Sequence, residues 1–148
     1  MTITVNGQQK EAYDLLMKKK FALEIVQGKK KVEFRSFSDY YASRFLDKEK
    51  AKQNKAEGKT TLDDLSEEIR NDIKFIHFHD YNNSWYLDVE LEGIGYCIVD
   101  SYDIEPLAEE YADFKDYLAD AKENDKLPED DRPMIFYLPI KQVISTNL

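Results

Sequence analysis

The sequence predicts an α+β fold, a mixed β-barrel of about five or six strands with three or four peripheral helices. Runs rich in aromatic and β-branched residues indicate the strands, and the segments between them carry apolar residues at helical spacing. Hydrophobic residues make up 42% of the 148 positions, which is typical of a folded core. This length fits a single domain over residues 1–148.

The N-terminal region predicts a strand, a turn and a helix. "TITV" at residues 2–5 alternates as strands do, and "NG" after it is a turn signal. Apolar residues recur at helical spacing from residue 11 to residue 27, although the lysines at 18–20 leave open a short "LLM" strand before the helix. We favour a helix at 20–27, with Gly28 as the residue that ends it.

Two further segments predict helices. Phe37, Tyr41 and Phe45 lie four apart on one helical face, which predicts the first helix. The stretch "TTLDDLSEEIR" predicts a second, short helix that begins at a threonine cap. Together they predict a helical insertion at about 37–70, and an acidic helical segment follows at about 104–124. Either segment is a candidate for covering a cleft or recruiting a partner.

Residues 73–100 are the clearest β region, a meander of two or three strands broken at "DYNNS" and "EGIG". "MIFYLPIKQVIS" predicts a closing strand in which Pro139 marks an edge or a bulge. Cys97 is the only cysteine, which excludes an internal disulfide and a multi-cysteine metal site. We expect it to be a buried structural thiol.

The charge distribution limits the classes of partner. A formal net charge of −9 argues against broad, sequence-independent binding to a nucleic-acid backbone, because that binding depends on neutralising phosphates. Basic residues nevertheless concentrate in "MKKKF" and "GKKKVEFR", where a single phosphate, base or carboxylate could bind. The N-terminus lacks a signal-peptide pattern, and no apolar run is long enough for a membrane span. We therefore expect a cytoplasmic protein without a membrane partner.

The stretch "GKKKVEFR", residues 28–35, places a carboxylate among basic side chains. On a strand, Glu33 and Arg35 project to the same side, so the guanidinium could orient the carboxylate or hold an anionic ligand beside it. Lys30 lies at the turn into the strand, where its amine could reach the same space. The alternative is a solvated ion-pair cluster without a ligand.

This stretch resembles the signature of the ASCH family, a branch of the PUA-like β-barrels, in Gly28, Lys30, Glu33 and Arg35. "FALEIVQ" before it resembles the family's preceding helix, and "FIHFHDYNNSWYLDVEL" and "FYLPIKQVIS" resemble its later strands. The resemblance covers residues 15–99 and 134–145. It implies a PUA-like barrel with a cleft beside the motif, suited to RNA or a modified nucleoside.

The resemblance also implies roles for the motif residues. Some members remove the acetyl group from 4-acetylcytidine with a lysine at the position of Lys30 and a threonine at the position of Glu33, and another has been assigned ribonuclease activity. Here the threonine position is glutamate, so a hydroxyl nucleophile does not carry over. In an enzyme, Lys30 would orient or activate the substrate, Glu33 would act as acid or base, and Arg35 would hold Glu33 or a phosphate.

His77 and His79 occupy alternate positions in "FIHFHD" and should share one face of a strand. With Asp80 nearby, they could bind a metal, serve as the acid and base of a metal-independent ribonuclease, or have a structural role. Trp85 or its neighbour Tyr86 could stack on a base, but adjacent strand residues point oppositely, so only one can do so.

Tyr40, Tyr41 and Arg44, just after the motif, are candidates for closing over a bound base, although packing explains their spacing equally well. The sequence thus predicts a domain that recognises RNA or a nucleotide-like ligand, with no cofactor and no metal. The alternatives are a hydrolase of a modified nucleoside, a ribonuclease, and a non-catalytic acidic protein that binds partners or mimics nucleic acid. The sequence specifies no oligomeric state.

Overall fold

The structure is a computed structural model that describes all 148 residues. The strands are Thr2–Val5 (β1), Gln8–Glu11 (β2), Tyr13–Leu16 (β3), Val32–Ser36 (β4), Phe75–His79 (β5), Tyr86–Leu91 (β6), Gly95–Ile98 (β7) and Met134–Thr146 (β8). The α-helices are Lys19–Val26 (α1), Asp39–Phe45 (α2), Lys48–Ala56 (α3), Leu62–Glu68 (α4), Ser101–Glu110 (α5) and Leu118–Asn124 (α6). Two 3₁₀ segments are Ala112–Tyr117 and Glu129–Asp131.

The strands form a hairpin and one mixed sheet. β1 and β2 pair antiparallel, and the sheet runs in the order β3-β5-β6-β8-β4, with β7 pairing to β8 off this path. β3 is parallel to β5, whereas β5 and β6, and β6 and β8, are antiparallel. The five-stranded path is strongly curled into a half-barrel, which confirms the predicted α+β fold class. There are six α-helices instead of three or four, because the insertion contains three short helices and the acidic segment is divided into α5 and α6.

The chain divides into two compact units, each built from separate segments. Unit 1 comprises Met1–Glu33, Asp72–Gly93 and Leu138–Leu148, and unit 2 comprises Phe34–Asn71 and Ile94–Tyr137. The expectation of a single domain over residues 1–148 stays a prediction. No helix in the chain combines the length and the apolar character that a membrane crossing requires.

The core of unit 1 follows from strand alternation. Ile76 and Phe78 of β5 and Leu87 and Val89 of β6 are all 0% exposed. The hairpin adds a smaller cluster in which Ile3, Val5 and Ala12 pack with Phe75 and Ile144. Its turn has a positive φ at both central residues, 51° at Asn6 and 79° at Gly7, which is the asparagine-glycine turn that the sequence predicts.

The core of unit 2 is aromatic. Phe45, Phe114 and Phe136 are each 0% exposed, and Phe37 stacks on Phe136 with ring centroids 4.5 Å apart. The predicted threonine cap is confirmed: Thr61 begins α4 with a capping box shared with Asp64. Asn54 of α3 is 1% exposed and ties the two helices together by donating to the Glu68 carboxylate at 3.2 Å.

Three elements clarify the sequence expectations. The helix favoured at 20–27 is α1, whereas Leu15 and Met17 before it are buried alternately because this stretch is strand β3 and its continuation. The meander ends after β6, since β7 pairs with β8 and not with β6. Directly after β6, the Glu92 N–H donates to the Pro139 carbonyl of β8 at 2.9 Å. The predicted irregularity near Pro139 is confirmed by a register shift between β6 and β8 at Leu91.

Gly95 provides a test of the β7–β8 pairing. A Cβ at this position would lie 2.3 Å from Cζ of Tyr137, its cross-strand partner, so the ring occupies the space that a side chain needs. We expect Gly95→Ala to lower the free energy of unfolding by about 1–3 kcal/mol, measured by urea denaturation.

The double variant Gly95→Ala/Tyr137→Ala supplies the control, because removing the ring removes the clash. Its destabilisation should be smaller than the sum of the two single effects. Simple additivity would contradict the contact between the ring and the glycine.

Candidate functional site

The turn between α1 and β4 fixes the position of Lys30. α1 ends at Val26 with Gln27 as its C-cap, and Gly28 follows with φ of 76°, the left-handed conformation that favours glycine. The Lys29 and Lys30 N–H groups both donate to the Glu24 carbonyl, at 2.9 and 3.1 Å. This turn confirms Gly28 as the helix-ending residue and orders the backbone immediately before the strand.

Lys30 and Glu33 form an ion pair in unit 1. Lys30 Nζ lies 3.3 Å from Glu33 Oε1, and the two side chains are only 12% and 8% exposed. The amine also donates to the Val32 carbonyl at 2.8 Å and lies 5.4 Å from the centre of the Phe21 ring. The pair is therefore a partly desolvated acid and base of fixed geometry, unlike the solvated cluster that was the alternative.

Arg35 lies in unit 2, in a local group of cations and aromatic rings. Its guanidinium donates to the Tyr41 hydroxyl at 2.7 Å. Tyr41 contacts Tyr40 edge to face with centroids 5.0 Å apart, and the Arg44 guanidinium lies 4.1 Å from the Tyr40 ring centre. Ser38 caps α2 by accepting from the Tyr41 N–H, which orients this helix start. The predicted ligand residues Arg35, Tyr40 and Arg44 therefore lie together in one group.

A second polar group lies on β3, β5 and β6 of unit 1. Asp14, His77, His79, Tyr86 and Asp88 make up what we call the histidine face. The His77 ring stacks against His79 with centroids 5.6 Å apart and against Tyr86 at 5.7 Å. Asp88 lies opposite His77 in the register and bonds its Nδ1. The predicted same-side placement of the two histidines is thus confirmed.

His79 meets an acceptor at each ring nitrogen. Its Nε2 lies 2.6 Å from Oδ1 of Asp14, and its Nδ1 lies 2.8 Å from the backbone carbonyl of Asp80. A carbonyl and a carboxylate only accept, so this geometry fits a ring that carries a proton on both nitrogens. The chain contains no group of three or more His, Cys, Asp or Glu side chains placed to hold a metal ion.

Two acidic residues of the histidine face were missed from the sequence. Asp14 and Asp88 lie on strands other than that of the histidines, so their proximity depends on inter-strand register, which one strand's pattern does not contain. The available signal was the aspartate in "WYLDVEL", where Asp88 and Glu90 interrupt an otherwise apolar and aromatic stretch. Burial raises the pKa of the Asp88 carboxyl, and the hydrogen bond with His77 opposes that rise.

Trp85 and Cys97 are both buried. Trp85 is 5% exposed, so packing accounts for its position, and the neighbouring Tyr86 is the ring that lies beside His77. Burial raises the pKa of the Cys97 thiol to about 12, with a further contribution from the charge of Asp103. Its burial confirms the predicted location of the thiol, and so high a pKa leaves it a weak nucleophile.

Comparison with protein-family models, with curated proteins and with solved structures gives no significant match for this chain. The resemblance of "GKKKVEFR" to the ASCH signature therefore stays a prediction.

The raised pKa of Asp88 predicts the sign of a pH effect. A carboxyl whose pKa is higher in the folded state stabilises the fold at low pH, and this contribution is lost as the pH rises through the folded pKa. Asp88→Asn stays neutral throughout. We expect its free energy of unfolding to increase relative to the parent as the pH rises from about 3 to about 6, measured by urea denaturation at each pH.

Asp80→Asn is the matched control with the opposite sign. Hydrogen bonds from Ser84 lower the pKa of Asp80, so its ionised form stabilises the fold above its unfolded pKa. This variant should lose stability relative to the parent over the same pH range. The same trend in both variants would contradict the environment assigned to Asp88.

Proposed function

We propose that this protein recognises RNA or a nucleotide-like ligand through the Lys30–Glu33 pair of unit 1. The observation that carries this proposal is an oppositely charged pair whose side chains are 12% and 8% exposed, held at 3.3 Å directly after a left-handed glycine turn. Removing two charges from water costs free energy, and apolar residues of similar volume often give equal or greater stability. Stability alone is therefore a weak reason for the pair.

The pair offers a donor beside an acceptor, which is the pattern that a nucleobase edge complements. The Lys30 ammonium can donate to a base carbonyl or ring nitrogen, and the Glu33 carboxylate can accept from a base N–H group. In a partly desolvated setting such charge-assisted hydrogen bonds are stronger than at an open surface. Recognition of an unstacked base needs few phosphate contacts, which is compatible with a net charge of −9.

Unit 2 supplies a group suited to the same class of ligand. Tyr40 is 54% exposed and carries the Arg44 guanidinium over its ring, while Arg35 is held by Tyr41. Aromatic and guanidinium planes are the surfaces on which single-stranded bases stack. This group supports nucleic-acid recognition independently of the Lys30–Glu33 pair.

The proposal concerns binding, and it places the ligand in the cytoplasm, where RNA and free nucleotides occur. The amidohydrolase activity implied by the ASCH resemblance relies on a threonine hydroxyl that this chain lacks at Glu33. Membership of that family, with RNA or a modified nucleoside as partner, is part of the proposal.

Binding should depend on both charges of the pair. We expect Lys30→Met and Glu33→Gln, which keep side-chain volume, each to weaken binding of a short single-stranded RNA by roughly 10–100-fold, because each removes a hydrogen bond to a charged group. Fluorescence anisotropy of labelled RNA at fixed salt measures the change.

Lys29→Ala is the matched control, since Lys29 is an exposed lysine of the same turn. It should change the affinity little. The double variant Lys30→Met/Glu33→Gln should still unfold cooperatively, which separates loss of binding from loss of fold. If Lys29→Ala and Lys30→Met weakened RNA binding equally, the loss of one positive charge would explain both effects. That result would overturn the proposed site.

A further inference from the structure

We propose that the histidine face cleaves RNA by acid–base transesterification, with His77 as the base and His79 as the acid. The inference rests on the proposed function for its substrate class, RNA, but it assigns chemistry to residues outside the Lys30–Glu33 pair. Three properties of the face carry it: the environment of each imidazole, the absence of a protein nucleophile and the spacing of the rings.

His77 has the environment of a general base. Its Nδ1 bonds the carboxylate of Asp88, whose side chain is 9% exposed, and because a carboxylate only accepts, this contact fits the tautomer with the ring proton on Nδ1. The lone pair of Nε2 has no hydrogen-bond partner within the protein, and Nε2 is not a buried atom. An imidazole oriented by a buried carboxylate, with its second nitrogen open, is the arrangement that accepts a proton from a hydroxyl.

His79 has the environment of a general acid. The two acceptors at its nitrogens, the Asp14 carboxylate and the Asp80 carbonyl, fit the doubly protonated ring. The Asp14 side chain is 57% exposed, so it can turn into solvent and release the Nε2 proton to a substrate oxygen. Neighbouring histidines thus differ in role because their partners differ.

The face supplies no nucleophile of its own. No hydroxyl or thiol is hydrogen-bonded to either imidazole: Ser84 donates to Asp80, and the Ser145 and Tyr86 hydroxyls bond each other at 2.9 Å. A base without a protein nucleophile requires a nucleophile on the substrate or a water molecule. RNA carries its own nucleophile, the ribose 2′-hydroxyl beside each phosphodiester.

The spacing of the two rings fits a phosphodiester between them. Centroids 5.6 Å apart, on one face of β5, allow one ring to reach the attacking oxygen and the other the leaving oxygen.

The reaction balances with these groups alone. Nε2 of His77 takes the proton of the 2′-hydroxyl while the 2′-oxygen forms a bond to phosphorus. The bond from phosphorus to the 5′-oxygen breaks, and His79 Nε2 gives its proton to that oxygen. The products are a 2′,3′-cyclic phosphate and a 5′-hydroxyl end, and water returns the protons between the two histidines.

The test uses the full chain and a labelled oligonucleotide of DNA with a single ribonucleotide, in buffer with EDTA to remove metal-dependent contaminants. We expect cleavage after the ribonucleotide, a 2′,3′-cyclic phosphate by mass spectrometry, and no cleavage of the all-DNA strand. His77→Ala and His79→Ala should each lower the rate by about 10²-fold or more, the usual contribution of general acid–base catalysis. Tyr102→Ala, which alters a ring 87% exposed in unit 2, should cleave like the parent.

Asp88→Asn tests the positioning role with the fold preserved. It should lower kcat more than it raises KM, because it misorients the base without removing a substrate contact. The kcat/KM of the parent should follow a bell-shaped dependence on pH, because one imidazole acts as base and the other as acid. The titratable groups that face His77 are Asp88 and Tyr86 of β6, His79 of β5 and Asp14 of β3.

Binding measured on the same samples separates this inference from the proposed function. RNA binding without cleavage overturns the catalytic role and leaves recognition intact. Cleavage that persists unchanged in both histidine variants also overturns the catalytic role. All samples are purified in the same way, so an activity common to them comes from a contaminating ribonuclease. Neither binding nor cleavage overturns both proposals.

Discussion

The register between β5 and β6 is the constraint on which the rest of unit 1 depends. Ile76 and Phe78 face the core with Leu87 and Val89 opposite them, and all four are fully buried. A slip of one residue would turn this apolar set to solvent and bury charged groups, so the burial of the core holds the register. The same register places Asp88 opposite His77, so the contact between these two side chains is a consequence of core packing.

The Lys30–Glu33 pair depends on a different constraint, the abrupt end of α1. A glycine with a positive φ lets the chain turn at once into β4, and the carbonyl of Glu24 holds the turn through two N–H groups. Lys30 and Glu33 meet because α1 ends at Val26 and β4 begins at Val32, two residues after Lys30. A longer helix would carry the lysine away, so backbone geometry, more than the attraction of the charges, brings the pair together.

Local patterns predicted the elements but not all their pairings. Alternation placed His77 and His79 on one face, and the turn preferences of Asn6, Gly7 and Gly28 were confirmed at each position. The carboxylates that bond the histidines, Asp14 and Asp88, were missed because they come from other strands. The pairing of β7 with β8 was missed because it joins segments distant in sequence. The strand before α1 was ambiguous because lysines interrupt its apolar pattern.

The most direct test of the central claim maps the ligand onto the chain. We would titrate the ¹⁵N-labelled protein with a short single-stranded RNA and follow backbone amide shifts by NMR. The account predicts saturable shifts concentrated at residues 28–33, lost in the Lys30→Met/Glu33→Gln variant. Shifts confined to the acidic residues 101–124, or no shifts at any RNA concentration, would contradict it.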